Sequence, residues 1–218
     1  MIKSDYTSVF TIGHSDHPMG RFIELLVSHG ITAVADVRSI PYSRFNPQFN
    51  REPVQTALNA AAIRYVFLGD VLGARRSEIE CYVKGKARYE LIARTPGFKE
   101  GLQRLREGME HHRIALMCAE KDPLTCHRAI LICRHLRSAD TSISHILNDG
   151  HAESNDELEA RLLKLTKVDP GGLFGDRADA IERAYDIQGN KIAYTESTAE
   201  QSQENVEFEH QDIHNRIH

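Results

Sequence analysis

Residues 113–135, RIALMCAEKDPLTCHRAILICRH, constrain the fold more than any other stretch of the chain. Ile114, Ala115, Leu116 and Met117 form a short, wholly apolar run, which suits a strand buried on both faces of a parallel sheet. Asp122-Pro123 breaks the backbone, and Thr125 is the expected N-cap of a following helix. Ala129, Ile130, Cys133 and Leu136 then recur with helical spacing. The reading is strand, loop, helix. Cys118 and Glu120 leave the carboxyl end of the strand, and Cys126, His127 and Arg128 fall in the first helical turn. In open α/β sheets ligands bind in that crevice, where the unpaired N–H groups of a helix start also favour an anion. Packing alone does not ask for Cys-Ala-Glu followed by Cys-His-Arg.

The flanking sequence supplies the rest of a sheet. Residues 8–12 are strand-like and turn at Gly13-His14-Ser15. The next helix is expected to be capped by Ser15 or Asp16, with Pro18 in its first turn and Gly30 at its end. Residues 31–37 form a second strand ending in Asp36 and Arg38. Strand, helix and strand within about 30 residues make a βαβ unit, so the two strands run parallel. Their carboxyl ends then bring His14 and Ser15 towards Asp36 and Arg38. Residues 39–51 read as a long loop. A helix is expected from Pro53 to Ala62, a third strand over 64–68, and an amphipathic helix with Phe98, Leu102, Leu105 and Met109 in phase. A fifth strand is expected over 142–147 and a helix over 155–167. A linker at Pro170-Gly-Gly172 follows, then a short helix over 176–185 and a turn at Gln188-Gly-Asn190. The fold class is α/β, Rossmann-like: a parallel or mixed sheet of about five strands with helices on both faces.

Composition narrows the setting. No apolar run approaches the roughly 20 residues of a membrane span, and the first ten residues lack the apolar core of a signal peptide. Four cysteines, Cys81, Cys118, Cys126 and Cys133, without a small-scaffold spacing point to a reducing compartment. A cytoplasmic protein is expected. The net charge of −4 is unevenly placed: from residue 196 onward the chain holds six of its 31 acidic residues and one, Arg216, of its 27 basic ones. The expected organisation is an α/β domain over 1–168, an extension packed on it over 169–195, and an acidic flexible tail over 196–218.

With these pieces placed, the chain resembles the uncharacterised family called domain of unknown function 488. The residues that carry the resemblance are Thr11-Ile-Gly-His-Ser15, Asp36-Val-Arg38 with Pro41 and Ser43, and Tyr65 with Leu72-Gly73. Cys118-Ala-Glu120, Pro123 and Cys126-His-Arg128 complete the set, with His145 a further candidate, over roughly residues 8–150. The resemblance implies an α/β domain and supplies no reaction.

The chemistry must therefore come from the residues. His14, Glu120, Cys126 and His127 are the candidate catalytic groups: Cys126 as a thiolate favoured at a helix start, Glu120 and the histidines as proton carriers. Ser15, Arg38, Ser43 and Arg128 are the candidate substrate-binding residues, the two arginines as clamps for a phosphate or carboxylate. Cys118, directly after an apolar strand, is expected to be buried and inert. The cysteine-loop spacing of phosphatases and rhodaneses is absent, since nine residues separate Cys118 from Arg128 and one separates Cys126 from it. Tyr42, Arg44, Phe45 and Arg51 interleave aromatic and basic groups as a nucleic-acid surface would, and 75–106 holds nine basic residues against four acidic. Neither a Walker lysine motif nor GxGxxG occurs, so no ATP or NAD cofactor is evident. Cys118, Cys126, His127 and His14 have the donor types for zinc or another divalent metal, but the usual paired spacing is missing and adjacent Cys126-His127 rarely aim at one ion, so no metal ligand is assigned. The expected partner is a phosphate-bearing small molecule or a nucleic acid, with no membrane involved; the sequence sets no oligomeric state. Three functions stay open: an enzyme hydrolysing or transferring a phosphate-bearing group, a thiol redox or metal-binding module using Cys118 and Cys126, and a non-catalytic nucleic-acid-binding protein.

Overall fold

Every side chain of Ile114–Cys118 is buried, because this strand lies inside the sheet with helices against both faces. The computed structural model describes residues 7–170 and 176–196. Its elements in chain order are β1 (Thr7–Gly13), α1 (Met19–Ser28), β2 (Ala33–Asp36), α2 (Arg51–Ala60), β3 (Arg64–Phe67) and α3 (Gly69–Leu72). A hairpin of β4 (Tyr82–Val83) and β5 (Lys86–Ala87) leads to α4 (Tyr89–Ile92), α5 (Pro96–Met109) and β6 (Ile114–Cys118). A wide π-helical segment (Arg128–Cys133) runs into α6 (Arg134–Leu136), followed by β7 (Thr141–Ile146), β8 (Ala152–Ser154), α7 (Asn155–Thr166) and α8 (Arg177–Ile192).

The main sheet has the order β3-β2-β6-β1-β7-β8. Its first five strands pair in parallel and β8 closes the edge antiparallel to β7. The fold is thus the expected mixed α/β sheet, with six strands rather than five. β1 and β2 are parallel but not adjacent, since β6 lies between them and pairs with both. The central crevice is therefore walled by the carboxyl ends of three strands, the position where α/β sheets hold ligands.

Side-chain alternation sorts the core into two layers. Ile114, Leu116 and Cys118 join the layer under α5 and the helices that follow β6, whereas Ala115 and Met117 join the layer under α1 and α2. Phe98, Leu102, Leu105 and Met109 of α5 are buried as their spacing predicts, each burial contributing about 1.5–3 kcal/mol. The same alternation turns Cys118 towards the segment that carries Cys126.

Several local expectations change. Pro18, with no side-chain cap bond, precedes α1, so neither Ser15 nor Asp16 caps it. Ser15 instead takes a left-handed turn, with φ of 44°. α2 starts at Arg51 rather than Pro53. After β6, Asp122 caps a 3-10 turn by accepting from Leu124 N, while Thr125 Oγ1 donates to the Asp122 carbonyl. Cys126 is extended and the helix proper starts wide at Arg128. The turn expected at Gln188-Gly-Asn190 is helical, because Gly189 lies against Tyr89 and Ile130 and α8 continues to Ile192. Gln188 from that helix donates to the Leu124 carbonyl at 2.6 Å, fastening the extension to the loop after β6. Of the expected linker only Pro170 lies within the described residues, and of the expected acidic tail only Glu196.

Gly13 explains one motif directly. A Cβ built there would stand 1.9 Å from the Glu120 carbonyl oxygen, so the end of β1 lies against the turn after β6 with no space for a side chain. Gly13→Ala is expected to cost at least about 1–3 kcal/mol in chemical denaturation, the scale for forced overpacking. Gly20→Ala, where nothing lies within 4 Å, should leave the midpoint unchanged or raise it.

Candidate active site

The crevice is a cleft of about 350 Å³. Its lining includes Arg38, Ser39, Tyr42 and Arg75 from the segments after β2 and α3, Cys118, Glu120 and His127 from the end of β6 and beyond, and Tyr89 and Tyr194.

Arg38 is held in place by Asp36. Its Nε donates to Oδ1 at 2.8 Å and Nη2 to Oδ2 at 2.6 Å, in a buried ion pair. Tyr65 donates to the same carboxylate at 2.9 Å. Nη1 lies 3.2 Å from His14 Nε2, and the His14 ring stacks on Phe49 with centroids 4.3 Å apart. Three of the five guanidinium N–H groups are thereby engaged, and two remain for the cleft. Burial, with the nearby Arg38 charge adding to it, lowers the His14 pKa to about 4, so this histidine is neutral and acts as a prop for Arg38. Arg75 is exposed, its guanidinium stacked over Tyr194 at 4.5 Å. No carboxylate among the described residues pairs with it.

His127 Nε2 lies 3.0 Å from the Val37 carbonyl, which fixes that nitrogen as the donor. Nδ1 then faces two sulfurs, Cys118 Sγ at 3.6 Å and Cys126 Sγ at 3.9 Å. Cys126 Sγ also lies 2.9 Å from Glu120 Oε2, and the Arg128 backbone N–H points at it from 3.5 Å. Burial opposes ionisation of Cys126, but the hydrogen bond from Cys118 and the positive charge of Arg128 outweigh it and hold this thiol well below its ordinary range. The bond to Cys126, together with burial, pushes Cys118 up. Burial and the neighbouring Cys126 charge raise Glu120. Burial would depress His127, yet its bond to Cys126 and the surrounding negative charge leave it raised.

Residues 18–134 match the family model described as a domain of unknown function, DUF488. The chain belongs to the DUF488 family. No curated protein and no solved structure matches it. The DUF488 match takes in Arg38, Cys118, Glu120, Cys126, His127 and Arg128, and is narrower than the span of 8–150 expected from the sequence, leaving Gly13-His14-Ser15 and His145 outside it.

The sequence-predicted residues separate into three groups in this DUF488 chain. Arg38, Tyr42, Glu120 and His127 reach the cleft, and Cys126 stands immediately behind Cys118 and Glu120. His14 backs Arg38 from outside the cleft lining. Ser15 Oγ donates to Asp16, and Ser43 Oγ accepts from Phe45 N and Asn46 N, so both serve their own turns. Arg44 and Phe45 are exposed, and Arg51 lies over the Phe67 ring at 4.6 Å.

Cys118 is buried, as expected, and it also borders the cleft with its Sγ 3.6 Å from His127 Nδ1. One expectation is corrected. Arg128 is not an open anion clamp: it is fully buried, with Nη1 donating to the Glu120 carbonyl at 2.6 Å, Nη2 to the Lys121 carbonyl at 3.2 Å and Nε to Thr11 Oγ1 at 3.3 Å. It holds the turn after β6 instead. Thr11 Oγ1 in turn lies 2.9 Å from Nδ1 of the buried His145. Arg75, Tyr89 and Tyr194 were missed. Arg75 opens the basic stretch noticed in the sequence, but no spacing rule brings 75, 89 and 194 together.

Arg128→Ala is expected to destabilise the fold by about 3 kcal/mol or more, since it strips donors from two carbonyls at about 1–3 kcal/mol each. Arg128→Lys should recover only part of the loss, lacking the planar fork. Urea unfolding measures this; an unchanged midpoint accompanied by weakened anion binding would return Arg128 to the role of ligand.

Proposed function

We propose that this protein is an enzyme acting on a phosphate-bearing substrate of nucleotide size, by hydrolysis or group transfer, in the cleft between Arg38 and His127. The observation that carries the reading is Arg38: a guanidinium fixed by Asp36 and His14, with two donors unengaged, in the lining of a cleft that also holds a thiol, a carboxylate and an imidazole. Pre-set donors of this kind stabilise developing negative charge without reorganisation. Arg75 adds a second positive group. Tyr42, half exposed in the lining, offers aromatic surface to a planar base, and a cleft of about 350 Å³ lies in the range of small-molecule sites. Glu120 and His127 are placed to move protons, with the Cys118–Cys126 pair beside the reacting group.

A second reading follows from one observation. Tyr42 of the cleft lining is 52% exposed and Phe45, three residues on in the same loop, is 89% exposed, and exposed aromatic rings are surfaces on which bases of a single strand can stack. The substrate would then be the end of a nucleic-acid strand rather than a free nucleotide.

Arg75→Ala, at an exposed position without an ion-pair partner among the described residues, is expected to lower affinity for nucleoside monophosphates about 10-fold, the loss of one hydrogen bond to a charged group, with no change in unfolding midpoint. Phe45→Ala should weaken only short oligonucleotides. Calorimetric titration at low salt checks both. Equal nucleotide affinity in wild type, Arg75→Ala and Arg38→Lys would overturn the assignment of the cleft.

A further inference from the structure

We infer that Cys118, Cys126 and His127 form a zinc site whose open coordination position faces the cleft. The three ligand atoms lie within 4.8 Å of one another and all three residues are buried. Zinc bound to sulfur at about 2.3 Å and to nitrogen at about 2.0–2.1 Å with tetrahedral angles separates the two donors by about 3.6 Å. The observed Nδ1 to Sγ distances are 3.6 Å for Cys118 and 3.9 Å for Cys126.

Three further features point to a metal rather than to plain packing. His127 gives its other ring nitrogen to the Val37 carbonyl at 3.0 Å, the outer bond by which a metal-binding histidine is held in its tautomer and orientation. The Arg128 backbone N–H is directed at Cys126 Sγ, and the buried Arg128 guanidinium offsets the charge that two thiolates bring. Among the described residues, the two sulfurs are the hydrogen-bond partners of Nδ1. A soft donor set of two thiolates and one imidazole selects zinc over magnesium or calcium.

The position of the site distinguishes its use. Cys118, His127 and Glu120 line the cleft while Cys126 stands behind them, so three protein ligands close one side and leave the fourth position towards the substrate space. Structural zinc sites are closed by four protein ligands, whereas catalytic ones keep such a position for water or substrate. The sequence spacing gave no sign of this, because adjacent Cys126 and His127 can aim at one ion only when the backbone between them is extended and then widely coiled, as it is here. The metal site stands on the cluster alone; only its catalytic use rests on the substrate reading above.

The test is metal content and cobalt spectroscopy on the full chain. Protein purified without metal-affinity steps should hold one zinc per chain by elemental analysis. Metal-free protein titrated with Co²⁺ should develop thiolate-to-cobalt charge-transfer bands and the intense visible bands of tetrahedral coordination. Cys118→Ser and Cys126→Ser should each lower zinc affinity by more than the roughly 10–100-fold typical of losing an outer-shell partner. Absence of both zinc and a tetrahedral cobalt spectrum in the wild type would overturn the proposal, as would a Cys118–Cys126 disulfide in freshly prepared protein. If the serine variants fail to fold, the wild-type cobalt titration decides. Nucleotide binding that persists without any metal site would leave the cleft reading intact, while tight zinc without nucleotide binding would remove that reading and keep the metal.

Discussion

A buried guanidinium ties the central strand to its neighbour. Arg128 reaches back from the widened helix to the carbonyls of Glu120 and Lys121 and to Thr11 of β1, so the turn after β6 cannot move independently of the sheet. Gly13 lets that turn approach β1 to contact distance. Because the turn is pinned, Glu120 stays at the cleft while Cys126 is returned to within reach of Cys118. Burying a full charge is costly unless every donor is answered. Here polar partners on two elements surround it, and the neighbouring thiols and carboxylate supply negative charge.

The cleft is also built on a second buried charge. Asp36 accepts from Arg38 and from Tyr65, and Arg38 is steadied by His14, which leans on Phe49 and through it on Phe22. Removing either partner of such a pair costs about 3–5 kcal/mol, so the clamp is rigid before any ligand arrives. Arg38 and the thiol cluster thus border the same cleft, where β1, β2 and β6 end.

Much of this was legible in the sequence, and the gaps have physical causes. The apolar run at 114–117, the βαβ spacing and the phase of Phe98, Leu102, Leu105 and Met109 each reflect a single periodic constraint, and each element is present. Asp36 and Arg38, two apart at a strand end, are the ion pair that alternation suggests. Arg128 was misread because sequence does not show whether a guanidinium meets solvent or main-chain carbonyls. Cys118 is buried as its place after an apolar strand suggests, but its position at the cleft was not legible, because a cysteine ending such a strand faces core or crevice according to how the next segment folds back. The π-helical start had no signature, since its hydrophobic spacing is close to that of an α-helix. Tyr194 and Arg75 meet across more than a hundred residues, a tertiary fact outside any local pattern. The turn expected at Gln188-Gly-Asn190 yielded to packing: Gly189 is needed for close approach to Tyr89 and Ile130 rather than for a bend.

The central claim is that the cleft arginines and the thiol cluster serve one anion. Crystals of the full chain soaked in tungstate, located by anomalous scattering, test it directly. The account predicts tungstate within hydrogen-bonding distance of the Arg38 guanidinium and beside Arg75, on the cleft side of Cys118 and His127. Tungstate bound only at exposed arginines such as Arg44, with the cleft empty at saturating concentration, would contradict it.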